Sequence, residues 1–384
     1  MAPPKAPIEV RSPAPARGFA AFRPEAPVRL CPAAILEGRA AAAALDDGLA
    51  LPLAGGPLAF AEVEALARAP GGALAARGSI GELLRWSAAT RSPRQEEVSA
   101  ALAALVAPRR PWAGLDLERT HLMGVLNVTP DSFSDGGAFL DPARAVEQGR
   151  ALAAAGADIV DVGGESTRPG AEPVPVEEEL RRIVPVVRAL AEAGLRVSID
   201  TRRAAVMAAA LDAGASIIND VTALAGEHDS LALAASRGAA VVLMHMAGEP
   251  RTMQEDPRYE EVTLDVLEFL ERRIAACVAA GIPSERIAVD PGIGFGKQDP
   301  HNLALLARLA LFHGTGCAVL LGASRKSFIG RLGGGGPRER LGGSLAAALW
   351  GAGQGVQILR VHDVAETRQA LALQAAIAGH HTPA

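Results

Sequence analysis

From residue 120 onward the chain repeats one unit: a short apolar run, a polar turn, then an amphipathic helical pattern. Apolar runs fall at 122–128, 158–162, 196–200, 216–220, 240–245, 286–290, 318–322 and 356–360. Helical patterns lie between them, at 141–155, 176–193, 202–213, 259–280 and 338–350. Gly156, Gly194, Gly214, Gly238, Gly281, Gly316 and Gly355 each stand just before a run, where a helix C-cap or an αβ turn favours glycine. Strand and helix alternating in this way give a parallel sheet, and eight such units predict a closed (β/α)8 TIM barrel. An open doubly wound sheet is the alternative that the same alternation allows.

A barrel of this kind takes about 250 residues, so a chain of 384 carries an additional piece. Residues 1–26 are rich in Pro and Ala with few large apolar side chains, which predicts a flexible tail. Residues 27–116 read as a globular extension of unknown role, with a strand at 49–53, a helix at 59–69 and a helical turn at 81–86. A further helix is expected at 93–106, with Ser92 as N-cap, Pro93 at the first helical position and Gln95 three residues past the cap. This extension has no cluster of His, Cys or carboxylates, so it is expected to pack on the main domain or to serve a subunit contact. The barrel is assigned to 117–379, and 380–384 to a second tail.

The net charge of -5 provides no broad field for nucleic acid or an acidic membrane, so neither is expected as a partner. An anionic ligand must be held by local cations. Cys31, Cys277 and Cys317 are odd in number and lack metal-ligand spacing, which fits buried thiols in a reducing compartment. No run of about 18 apolar residues occurs without Gly or charge, and a cytoplasmic location is expected.

In a (β/α)8 barrel the C-terminal strand ends and the loops after them form the active face. The polar residues of this chain gather at those places. They are Asn127; Asp161 with Glu165, Ser166, Thr167 and Arg168; Asp200; Asn219 with Asp220; His245; Asp290; Ser324, Arg325, Lys326 and Ser327; and Arg360, His362 and Asp363. The loops at 129–138 and 163–175 are rich in Gly and Pro and are expected to be mobile until substrate orders them. Asp131, Asp135 and Glu165 within them read equally well as solvated loop charges. Polar ends on eight successive strands predict a pocket.

The motifs GVLNVTPDSFSDGG (from Gly124), DVGGESTRPGA (from Asp161), SIDT (from Ser198), IIND (from Ile217), LMHM (from Leu243), DPGIGFGK (from Asp290), SRKSFIG (from Ser324) and RVHD (from Arg360) together resemble bacterial dihydropteroate synthases. The resemblance runs from about Thr120 to Gly379, in the family's order. It implies a magnesium-dependent homodimeric transferase of folate biosynthesis, the sulfonamide target, which joins 6-hydroxymethyl-7,8-dihydropterin diphosphate to 4-aminobenzoate. By the same resemblance Asp290 takes the amidine-like edge of the pterin, a pattern that suits a carboxylate accepting two parallel bonds. Asp200 and Asn219 would meet other ring atoms, and Lys326 would reach a ring acceptor.

Arg168, Arg360 and His362 would hold the diphosphate, with Thr167 beside it, and Asn127 would supply one oxygen to magnesium, which binds through few protein ligands. Phe133, Thr167, Pro169 and Phe295 would wall the aminobenzoate, whose carboxylate meets Ser327. Met244 and Phe295 suit the core as well as a ligand, Asp200 alone suits an ion pair or helix cap, and His362 suits a helix cap. The run Gly333 to Gly336 lacks the following Lys and Ser or Thr of a phosphate loop and reads as a plain loop. A pterin-binding methyltransferase would need neither STRP nor SRKS. A non-catalytic paralogue should lack at least one of Asn127, Arg168, Lys326 or Arg360, and all four are present.

Overall fold

The computed structural model describes residues 14–90, 93–129, 142–165, 174–248 and 252–379. Its first part contains β1 (Ala16–Arg17), β2 (Val28–Leu36), α1 (Gly38–Asp46), β3 (Leu51–Pro52), β4 (Ala59–Ala69), β5 (Gly72–Ser79), α2 (Ile80–Thr90) and α3 (Arg94–Val106). The strands form one sheet of order β1-β5-β4-β2, with β3 beside β4.

The segment 59–69, expected as a helix, is instead the central strand β4. Its Ala, Glu, Leu and Arg residues are good helix formers, but Val63, Ala65 and Ala67 alternate with Glu62, Glu64, Leu66 and Arg68, and a strand places alternate residues on opposite faces. Val63, Ala65 and Ala67 enter a core with Leu30, Leu83, Trp86, Val98, Leu102 and Leu105, covered by α2 and α3. Leu66, between them, packs with Cys31 into the main core of the barrel. One sheet therefore has two apolar faces with different destinations.

The expected tail is also corrected. Ala16–Arg17 pairs with β5, and Phe19 and Phe22 are buried against Trp86. Large aromatic side chains bury enough area to order even a Pro-rich segment. Pro93 occupies the N-cap position of α3 without a side-chain cap bond, whereas Ser92 lies outside the described residues, as do residues 1–13 and 380–384.

The barrel is built from β6 (His121–Asn127), α4 (Pro142–Ala154), β7 (Ile159–Gly163), α5 (Val176–Glu192), β8 (Val197–Asp200), α6 (Ala204–Asp212), β9 (Ile217–Asp220), α7 (Ser230–Arg237), β10 (Ala240–Met244), α8 (Val262–Ala279), β11 (Ile287–Asp290), α9 (Asp299–Ala307), β12 (Ala318–Leu321), α10 (Ser327–Gly333), α11 (Leu341–Gly353), β13 (Ile358–Val361) and α12 (Val364–Ala378). Strands β6 to β13 pair in parallel and in sequence order, and β13 closes on β6. This is a (β/α)8 barrel. The seven glycines before the strands all adopt positive φ, as the turn reading requires.

The barrel's lower interior is filled by Met123, Ile159, Ile217, Val242, Leu320 and Ile358, plugged from below by Trp112, Leu115 and Leu117. Trp112 donates its indole N–H to the Arg286 carbonyl at 3.1 Å, which fixes the plug. At the opposite end Asn127, Asp200, Asp220 and Asp290 close their strands with polar side chains.

The extension docks on the barrel's helical wall through charge as well as apolar contact. Arg308 is buried and holds Glu64 of β4 at 2.7 Å and Glu261 at 3.4 Å. Arg68 pairs with Asp265 and Glu268, and Arg29 with Glu271, all three acids on α8. All three cysteines are buried free thiols, and burial pushes each thiol pKa up, Cys31 and Cys317 to about 12 and Cys277 to about 11.

Candidate active site

Asp161, Asp200, Asn219 and Arg360 meet at the upper end of the barrel, brought there by β7, β8, β9 and β13. Arg360 donates from Nε to Asp161 at 2.6 Å and from Nη2 to Asp200 at 2.6 Å. Asn219 donates its amide to the same Asp161 oxygen at 3.1 Å. The register places Asp200 directly opposite Asn219, so both amide and carboxylate project from adjacent strand ends.

The charges in this cluster are unevenly matched. Burial works against the Arg360 guanidinium, but Asp161 and Asp200 more than offset it and hold the group firmly charged. Burial pushes the Asp200 carboxyl up; Arg360 pulls it back and Asp161 adds to the rise. Oδ1 of Asp161 and Oδ1 of Asp200 are buried without a hydrogen-bond partner. A buried acceptor left in that state costs about 1–3 kcal/mol, and a ligand with ring N–H donors would recover it.

Asp290 ends β11, buried, with Oδ1 accepting from the Gly292 N–H at 2.7 Å. Burial raises its pKa; the Gly292 bond and the nearby Lys326, Lys297 and Arg360 charges oppose that rise. Gly322 leaves space beside it, since a Cβ there would lie 3.6 Å from Asp290 Oδ2. Met244 ends β10 and is buried. Lys326 Nζ sits 3.8 Å over the Phe295 ring, so these two expected ligand residues already touch.

His362 follows β13 and its Nδ1 lies 3.0 Å from the Ser324 hydroxyl. Burial, with Arg360 and Arg325 adding to it, pushes its pKa down to about 3. The imidazole is thus neutral at physiological pH and brings an N–H donor rather than a cation. Arg325 holds Asp363 and keeps its backbone in the left-handed region, fixed by bonds from Arg340 to its carbonyl and from its N–H to Ser344. Next in sequence stand Lys326 and the exposed Ser327, which opens α10.

Asn127 ends β6, half-buried, beside Gly163 on the neighbouring strand. No group of three or more His, Cys, Asp or Glu side chains forms a metal cage among the described residues. Phe133, Ser166, Thr167, Arg168 and Pro169, with Asp131 and Asp135, lie outside the described residues. Glu165 pairs with Arg202 at 3.1 Å, and Asp220 spends its carboxylate on the Thr222 and Leu224 N–H groups of its own turn.

The sequence reading named Asp161 among the polar strand ends and included Lys297 as the last residue of DPGIGFGK, but gave neither a role. Asp161 is the acid shared by Arg360 and Asn219, and the only sequence signal was a charge placed mid-strand among apolar residues.

A closed barrel whose C-terminal strand ends join buried carboxylates, an amide and cations has the active face of a barrel enzyme. Residues 123–362 match the model of the pterin binding enzyme family. The chain is 52% identical over 258 residues to the dihydropteroate synthase of Escherichia coli (strain K12), covering 67% of this chain and 91% of that one. The crystal structure of the Yersinia pestis dihydropteroate synthase with a sulfonamide drug complex is similar with a TM-score of 0.66 and 47% identity, over 69% of this chain and 96% of that one. Dihydropteroate synthase from Xanthomonas albilineans in complex with 7,8-dihydropteroate gives a TM-score of 0.63 and 45% identity, over 70% and 97%. The chain belongs to the dihydropteroate synthase family and is an enzyme of the transferase class.

Proposed function

We propose that this enzyme condenses 6-hydroxymethyl-7,8-dihydropterin diphosphate with 4-aminobenzoate, giving 7,8-dihydropteroate and diphosphate. The observation that carries the reading is the meeting of Asp161, Asp200, Asn219 and Arg360 at one strand-end layer, with two buried carboxylate oxygens still lacking donors. A pterin presents several adjacent N–H donors on one edge, which complements such acceptors. In this reading Asp290 accepts from the amidine-like edge, Asp200 and Asn219 meet the remaining ring atoms, and Lys326, Met244 and Phe295 border the ring.

The amine nitrogen of aminobenzoate attacks the pterin methylene carbon, the carbon–oxygen bond breaks, and diphosphate leaves with the electron pair. The attacking amine then gives up its proton to solvent water. The neutral His362 donates an N–H to the leaving group, beside Arg360, whose Nη1 is not engaged by Asp161 or Asp200. Arg168 and Thr167 are assigned to the same diphosphate. Phe133, Thr167, Pro169 and Phe295 are assigned to the aminobenzoate walls and Ser327 to its carboxylate.

Magnesium suits Asn127, whose side-chain oxygen is a neutral hard donor on a half-buried residue at the end of β6; the ion would keep most of its waters and neutralise diphosphate charge. A homodimer and a cytoplasmic location are part of the same proposal. Leu373 and Ile377, exposed one turn apart on α12, are apolar surface that a second copy would cover.

The test is diphosphate release with both substrates and magnesium, omitting each in turn. Release that continues without aminobenzoate would point to hydrolysis, and no release with all three present would overturn the reading.

A further inference from the structure

The turn between β11 and α9 is pressed against the end of β10 more closely than ordinary side chains allow. A Cβ at Gly292 (φ +70°) would lie 2.0 Å from the His245 carbonyl oxygen, and one at Gly296 would lie 2.5 Å from the Ala247 carbonyl oxygen. Close approach of two backbones buries carbonyl groups that then need donors. The donor is Lys297, only 1% exposed. Its Nζ lies 3.1 Å from the His245 carbonyl, 3.0 Å from the Phe295 carbonyl and 2.9 Å from His245 Nδ1.

An ammonium has three N–H donors and no acceptor, so these three partners use its capacity fully. His245 Nδ1 must then be an acceptor, which makes the ring the neutral Nε2–H tautomer. Burial, with Lys297 adding to it, pushes the pKa of His245 down to about 2 and keeps it in that form.

We propose that Lys297 is a positioning residue for the pterin site, pinning the turn at 291–297 to the end of β10 so that Met244, Asp290 and Phe295 hold one fixed arrangement. This rests on the pterin reading above. Met244 directly precedes His245, and Asp290 accepts on its backbone oxygen from the His245 N–H at 3.1 Å. Phe295 lends its carbonyl to Lys297 and its ring to Lys326. The hydrogen bonds of Lys297 go to His245 and to the Phe295 carbonyl, and its charge also acts on Asp290.

The charged surroundings bear on the same group. Burial lowers the Lys297 pKa to about 7; Asp290 on β11 works against that, and Lys326 adds to it. His301 on α9 and Arg272 on α8 also face the cluster, the first depressed by burial and by Lys297, the second helping to depress His245. Tyr259 donates its hydroxyl to the Gly296 carbonyl at 2.7 Å.

Loss of the Lys297 proton leaves two donors for three acceptors and removes a positive charge near Asp290. Pterin binding should therefore weaken as pH rises through 7. The linked stability has the opposite sign. A folded Lys pKa below its unfolded value means that folding releases protons between about 7 and about 10.4, so stability from this group grows with pH there.

The experiment compares the full-length enzyme with Lys297→Met, by calorimetric titration of the pterin diphosphate in the absence of aminobenzoate and by steady-state kinetics from pH 5.5 to 9.5. The expected result is a ten-fold or greater loss of pterin affinity, with a smaller rise in the aminobenzoate KM, since of the three positioned residues only Phe295 is assigned to that substrate as well. The alkaline fall in pterin kcat/KM, present in the parent enzyme, should disappear. A variant that melts earlier but keeps pterin affinity and the parental pH profile would overturn the proposal.

If Lys297→Met does not fold, His245→Phe removes one acceptor and should move the alkaline limb to lower pH, and an unmoved limb overturns the proposal equally. A parent enzyme that binds no pterin would overturn the pterin reading instead.

Discussion

Two arginines in this molecule, Arg308 buried and Arg360 half-buried, face pairs of carboxylates, yet the pairs are finished differently. At the seam between extension and barrel, Arg308 meets Glu64 and Glu261; Glu64 spreads both oxygens over the guanidinium, and Glu261 also caps α8 through the Leu264 N–H. None of these side-chain atoms is buried without a partner. At the barrel mouth, Arg360 meets Asp161 and Asp200, each of which keeps one buried oxygen unserved. A fully satisfied pair marks a permanent contact, and a half-satisfied one marks a place prepared for something that arrives later.

The contrast breaks most visibly at Arg360. Arg360→Ala should lower kcat/KM by about 10³-fold, because it removes a preorganised donor and leaves two buried acids facing each other; diphosphate release measures it. At the seam, Arg308→Ala should cost about 3 kcal/mol of stability by leaving buried acids unpaired, read by urea unfolding, with kcat unchanged. A comparable loss of kcat would erase the distinction between the two pairs. Asp290→Asn should weaken pterin binding by about 2 kcal/mol through loss of charge-assisted bonds. The aminobenzoate KM should stay constant, which sharpens the assignment to one substrate. Smallest is Arg237→Ala, whose exposed pair with Asp212 should contribute under about 0.5 kcal/mol; a larger shift in unfolding midpoint would show that the pairing argument overrates burial.

The barrel was legible because its signals are local and repeated. Expected strands 122–128 and 240–245 became His121–Asn127 and Ala240–Met244, and each αβ turn carried its glycine. The polar strand ends were legible for the same reason. Which of them touch was not, since the Arg360–Asp161 contact joins residues nearly 200 positions apart. The role of Lys297 was not legible because two of its three partners are backbone carbonyls, which no side-chain pattern announces. In β4 the amino-acid types favoured a helix while the order of burial favoured a strand, and order prevailed once both faces found apolar partners.

That strand makes the extension unusually intolerant of insertions. Adding one residue before Val63 would turn Glu64 toward Trp86 and Leu102 and send Val63 or Ala65 to Arg308, spoiling two hydrophobic layers at once. The exposed connection at 47–49 can take a change of length, whereas the packed turn at 53–58 and the ladder itself cannot.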